Sequence, residues 1–96
     1  MMILIAHLAN GMRYRSRTDI ISKILDTANG GGATKTKIMY QAFLSFTQVK
    51  VYARALTENN LLNYDAYTQT FKTTEKGLRF LNTYNQINDA IKISPP

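Results

Sequence analysis

Apolar positions recur at helical spacing in four segments of this chain and alternate in one, and this pattern predicts most of its architecture. Ile20, Ile21, Ile24, Leu25 and Ala28 form a wide stripe, predicting a helix over 19–29. Ser16 or Thr18 can cap its start, and Asn29 with Gly30-Gly31-Gly32 ends it, because several residues there can take positive φ. Ile38 and Met39 give an apolar edge to a second, shorter helix over 34–41, capped by Thr34. The Gly-rich stretch before it reads as a flexible connection. A corner, Ala42-Phe43-Leu44-Ser45, leads into a third helix over 45–59, with Leu44 plugging the corner into the core and Ser45 as N-cap. In that helix Val49, Tyr52, Ala53 and Leu56 fall at i, i+3, i+4 and i+7, so one face is buried.

Residues 61–65 and 68–72 then read as two strands joined across Ala66-Tyr67, with Leu62, Tyr64 and Phe71 spaced for a half-buried hairpin. Such a hairpin is marginal alone and needs helices behind it. The last helix is capped by Thr73 or Thr74 and runs to about residue 92, ahead of Pro95-Pro96. It carries two apolar sets. Leu78 and Leu81 point toward the hairpin and first helix, whereas Gly77, Phe80, Tyr84, Ile87 and Ile91 recur as a short seam of coiled-coil spacing. One small domain has little surface to cover both sets, so Phe80, Tyr84, Ile87 and Ile91 are expected at an interface with a second chain. The alternative is that this set packs on its own domain or on the N-terminal segment.

The polar side of the third helix turns a generic domain into a candidate reader. Opposite the apolar stripe stand Thr47, Gln48, Lys50, Val51 and Arg54, hydrogen-bonding or basic except for Val51. A helix anchored by one face after a tight corner, with Gln, Thr, Lys and Arg on the other, is what a helix-turn-helix places in a DNA major groove. An ordinary solvated surface helix carries the same pattern. Gln48 suits a bidentate contact with adenine, and Lys50 or Arg54 suits guanine or phosphate. A hairpin directly after such a helix is a wing, which makes Tyr67, Gln69 and Lys72 candidates for backbone or minor-groove contact; for Tyr67 an exposed turn aromatic is the plain alternative.

Charge supports the reader. The net charge is +6, and between Arg13 and Arg54 eight basic residues face two acidic ones, while the remainder is balanced. That asymmetry favours a polyanionic partner. Arg13, Arg15 and Arg17 lie just ahead of the first helix, either as a solvated basic arm or as contacts to phosphates, where cations set affinity without reading sequence.

Several chemistries are excluded. The absence of cysteine removes disulfides and thiolate metal sites and fits a reducing interior. No stretch approaches the ~20 apolar residues of a membrane span. The opening MMILIAHLANG has no basic n-region and no A-x-A cleavage site, so it does not read as a signal peptide. Either Met12 is the natural start, or Ile3, Leu4, Ile5 and Leu8 pack on the body or on a second subunit. GGGATKT does not satisfy a phosphate-binding loop, since the required glycines fall on Asn29 and Thr34 and the loop follows a helix. With one histidine, His7, and six scattered carboxylates, no catalytic constellation, metal site, cofactor or small-molecule ligand is indicated.

The run RSRTDIISKILDTANGGGATKTKIMYQAFLSFTQVKVYARALTENNLL, followed by TFKTTEKGLRFLNTY, resembles the small archaeal winged-helix DNA-binding proteins, which include chromatin-associated and transcription-regulatory members. The similarity covers residues 13–88, and KTKIMYQAFLSF and TTEKGLRFL are its most specific parts. It implies an α+β, mainly α fold: a winged helix-turn-helix with a two-stranded wing and a C-terminal dimerisation helix. It also implies double-stranded DNA as partner, a homodimer through the C-terminal helix and a cytoplasmic, nucleoid-associated location. On this resemblance the DNA-facing residues are Lys35 and Lys37 on the second helix and Ser45, Thr47, Gln48 and Lys50 on the third, and Thr36 between the two lysines is a further DNA-binding candidate. Gly77 matches a glycine that lets the last helix pack closely. Phe43 departs from the family, standing where relatives often have Asn, and the final helix is shorter than a long coiled-coil arm. The implied organisation is an N-terminal extension (1–12), a winged-helix DNA-binding domain (13–73) and a C-terminal helix at a dimer interface (74–96). The competing function is a protein-docking winged helix without DNA binding, against which the basic first half argues.

Overall fold

Ser16 opens the first helix. Its hydroxyl accepts from the Asp19 N–H (3.0 Å) and the Asp19 carboxylate accepts from the Ser16 N–H (3.2 Å), a reciprocal capping box. The structure, a computed structural model, describes residues 15–90. Within them α1 (Arg17–Ala28) is followed by α2 (Lys35–Ala42), α3 (Phe46–Glu58), the antiparallel strands β1 (Leu62–Asp65) and β2 (Thr70–Thr73), and α4 (Glu75–Ala90). Residues 1–12, Arg13 and Ile91 lie outside the described residues, as do the expectations attached to them.

One core holds these elements together. Ile24, Leu25 and Ala28 of α1 meet Ile38 and Ala42 of α2, and Val49, Ala53 and Leu56 of α3; Leu44 plugs the corner and Leu62 and Phe71 close the hairpin side. All are buried, so the apolar stripes mark the inward faces, with Tyr52 half-buried at the edge of its stripe. α1 packs on α2, α4 and β2, while α3 packs on α2 and β1. The recognition-type helix is therefore clamped from behind and its far side is left open.

The connections differ from expectation in ways with clear causes. The Gly-rich segment is pinned: Ala33 and Phe71 exchange backbone hydrogen bonds (2.8 and 2.7 Å), making a one-residue bridge that ties β2 to the start of α2. Gly32 permits this, with φ at 88° and a backbone so close that a Cβ would sit 3.1 Å from the Phe71 carbonyl oxygen. The hairpin loop spans four residues, 66–69, and not two. The Asp65 carboxylate accepts from the N–H groups of Tyr67 (2.9 Å) and Thr68 (3.4 Å), and Gln69 turns left-handed (φ 56°), so the second strand starts two residues later. Thr74 caps α4 by accepting from the Gly77 N–H (3.0 Å), whereas the Thr73 hydroxyl donates to the Leu25 carbonyl (2.6 Å) and ties β2 to α1.

The largest correction concerns α4. Gly77 is buried, and a Cβ there would overlap the Leu61 carbonyl oxygen and lie 2.7 Å from the Thr73 methyl. The helix thus sits directly on the hairpin. Phe80 packs on the core, and the Tyr84 hydroxyl donates to the Asp19 carboxylate of α1. Phe80 and Tyr84 therefore serve their own domain, because this part of the helix overlies α1. Of the seam, Ile87 remains exposed at 54%.

Candidate nucleic-acid interface

The corner between α2 and α3 sets the angle of the second helix. Phe43 makes the turn in the left-handed region (φ 55°, ψ 52°), a conformation that favours Gly or Asn. Leu44 points inward and Ser45 starts α3 with a second capping box: its hydroxyl accepts from the Gln48 N–H (3.1 Å) and the Gln48 Oε1 accepts from the Ser45 N–H (2.8 Å). Gln48 thus has a local task that the expectation did not include. The amide oxygen that a bidentate adenine contact uses already accepts from a helix-end N–H, so Gln48 serves as a cap in the free protein.

Arg15 is also assigned a different task. Its Nη1 donates to the Ala42 carbonyl (2.6 Å) and its Nη2 to the Phe43 carbonyl (3.1 Å), while its Nε is buried without a partner. The guanidinium closes the C-terminus of α2, whose last carbonyls lack intrahelical donors. It is a brace for the corner in place of the expected phosphate contact. Beside it, the Tyr84 hydrogen bond, those from Ser16 and the charge of Arg15 hold the Asp19 carboxyl below the usual carboxylate range, with burial opposing. Arg17, the first residue of α1, is exposed.

Successive side chains of α3 rotate by about 100°. That puts Thr47, Val51, Arg54 and Glu58 on the side opposite Val49, Ala53 and Leu56, and all four are exposed. Lys50 flanks them toward the hairpin, its Nζ 5.6 Å from the Phe46 ring centroid. Arg54 and Glu58 form an exposed i, i+4 ion pair at 3.5 Å, worth little in stability and easily exchanged for a phosphate. Gln48 lies on the opposite flank. Ser45, at the head of the helix, is exposed.

Between this face and the hairpin lies a cleft of about 570 Å³, lined among others by Lys35, Lys50, Val51, Arg54 and Tyr64. Lys35 is half-buried against it, and Thr36 and Lys37 are exposed on the first turn of α2, where the helix end adds its own positive field. On the wing, Tyr67 at 97% exposure occupies the tip, with Gln69 and Lys72 exposed beside it. Tyr64 joins this surface as well; its ring packs tilted against Phe71 (centroids 4.7 Å) and the two line the cleft. Second-helix cations, third-helix polar face and wing are thus brought onto connected surface, whereas Arg15 and the α4 residues are not. Among the described residues no group of His, Cys, Asp or Glu could hold a metal ion, and no helix is long and apolar enough to cross a membrane.

No protein of curated function matches the sequence. Among solved structures, Sso10a-2, a DNA-binding protein from Sulfolobus solfataricus, shares the fold with a TM-score of 0.69 at 19% identity, over 79% of this chain and 81% of that one. The sequence profile of winged helix-turn-helix proteins matches residues 14–92. By that match, and with the corner, third helix and hairpin in the order described, the chain belongs to the winged helix-turn-helix family.

Proposed function

We propose that this protein binds double-stranded DNA, as a transcriptional regulator or a chromatin-associated protein, by inserting the N-terminal half of α3 in the major groove. One observation carries this reading. The outward face of α3, from Thr47 to Arg54, is left uncovered by the other described residues, and the helix's one carboxylate, Glu58, is paired with Arg54 at the end remote from the corner. Lys35, Lys37 and Lys50 supply phosphate contacts around that face, and Tyr67, Gln69 and Lys72 contact the backbone or minor groove from the wing. The DNA-binding character of the structural relative agrees with this assignment. The protein then acts without catalysis or cofactor, in the cytoplasm at the nucleoid. A homodimer through the far end of α4, at Ile87, supplies two-fold spacing of half-sites; residues 85–90 are exposed along their whole length.

The test is duplex binding as a function of salt. The reading predicts a log–log slope of several units, falling by up to ~2 in the double variant Lys35→Ala, Lys37→Ala. Binding that is absent at low salt would instead favour a winged helix that docks on protein.

A further inference from the structure

The outward stripe of α3 contains one side chain that the charge argument leaves unused. Val51 is 63% exposed, in the middle of the face, one helical turn beyond Thr47 and one before Arg54. A bare isopropyl group among Lys50, Arg54 and Gln48 has nothing to gain from water, and no described residue covers it.

We infer that Val51 is a specificity-determining residue, packing on the C5-methyl group of thymine in the major groove. This rests on the DNA-binding reading and deepens it, adding a preference for A·T pairs. The thymine methyl is the apolar feature on the major-groove edges, and the edges of the other bases present donors or acceptors. Set against those, Val51 would strip water from polar groups and give them no partner. Set against the methyl, it removes apolar surface from water on both sides.

Its neighbours make it the better reader. The Gln48 Oε1 serves the Ser45 N–H, Lys50 lies over Phe46, and Arg54 is held by Glu58. The Gln48 amide oxygen is therefore engaged within the protein, and the two cations beside Val51 are placed to receive phosphates, Arg54 by exchange of its weak pair with Glu58. Val51 itself is β-branched and stiff at χ1 in a helix, so its contact orders little that is free beforehand. The cleft it lines, with Tyr64 on the far wall, leaves that surface open on the wing side.

The experiment compares a thymine-containing duplex with the same duplex carrying deoxyuridine at every thymine, which deletes the methyl groups and keeps charge and hydrogen-bond pattern. Affinities are measured at fixed low salt for the wild-type chain and for Val51→Ala, an exposed helical change that favours the helix. Wild type should bind the thymine duplex roughly two- to fourfold more tightly per methyl contacted. Val51→Ala, which keeps one methyl of its own, should bind the thymine duplex less tightly than wild type and show a clearly smaller preference between the two duplexes. Equal wild-type affinities for the two duplexes would overturn the methyl contact while leaving DNA binding intact. A preference undiminished in Val51→Ala would also overturn it, because the methyl would then act through duplex shape or another residue. Failure to bind either duplex would remove the DNA-binding reading itself, and this assignment with it.

Discussion

Single side chains in this protein do work that their residue type conceals. Arg15 looks like part of a basic arm, yet it braces the carbonyls of Ala42 and Phe43, residues 27 and 28 positions away. Nothing local in the sequence signals that contact. Gln48 is the opposite case, since the Ser45-x-x-Gln48 spacing is a legible capping box, and the chemical suitability of Gln for adenine competes with it. Asp19 shows how a local cap becomes a tertiary link, because its carboxylate serves both the Ser16 N–H and the Tyr84 hydroxyl. Its lowered pKa fixes the sign of a pH effect. A depressed folded value means stability that is fully present above the unfolded carboxylate pKa of ~3.9 and is lost as pH falls through the folded value. Asp19→Asn should therefore lower the thermal midpoint at pH 7, by the equivalent of about 1 kcal/mol. The gap from wild type should stay constant down to about pH 5 and then close on further acidification. A gap independent of pH down to 2 would show that the charge of Asp19 contributes nothing.

At the scale of elements, the decisive contact is α4 on the hairpin. Gly77 allows it, and the atoms a side chain would meet are mostly backbone or short, the Leu61 carbonyl and the Thr73 methyl, so they have little room to give. Gly77→Ala should destabilise the fold by roughly 2–3 kcal/mol despite the better helix propensity of Ala, measured by denaturant unfolding. An unchanged midpoint would mean that the helix stands off further than described. The periodicities of α1 and α3 were legible because each buries one face and wets the other. The face of α4 stayed open between two readings for a physical reason: a seam and a domain contact have the same spacing, and the position of α1 beneath Phe80 and Tyr84 is not written in that spacing. The wing was legible as two alternating segments. Its loop length was hidden in the Asp65 side chain, and the third pairing partner, Ala33, was hidden in a glycine run that reads as flexible.

Taken as a whole molecule, the chain divides into a buried frame and two open surfaces. The frame is α1 with the inner faces of its neighbours. One open surface is the outer side of α3 with the wing, and the other is the end of α4 around Ile87. Basic charge concentrates between Arg13 and Arg54, the stretch that includes most of α3, whereas the wing lies in the balanced remainder. If the α4 end joins two copies, Ile87→Glu should yield a monomer by light scattering, with thermal stability within about 0.5 kcal/mol of wild type because the position is exposed. An unchanged mass for a dimeric wild type would move the interface elsewhere. The central claim, that the outer side of α3 enters a duplex, is tested most directly by a backbone-amide NMR titration with a short DNA duplex at low salt. Shifts concentrated at Thr47, Lys50, Val51 and Arg54, with a second group at Tyr67 and Gln69 on the wing, are the predicted result. Shifts confined to α1 and α4, with α3 unmoved, would contradict it.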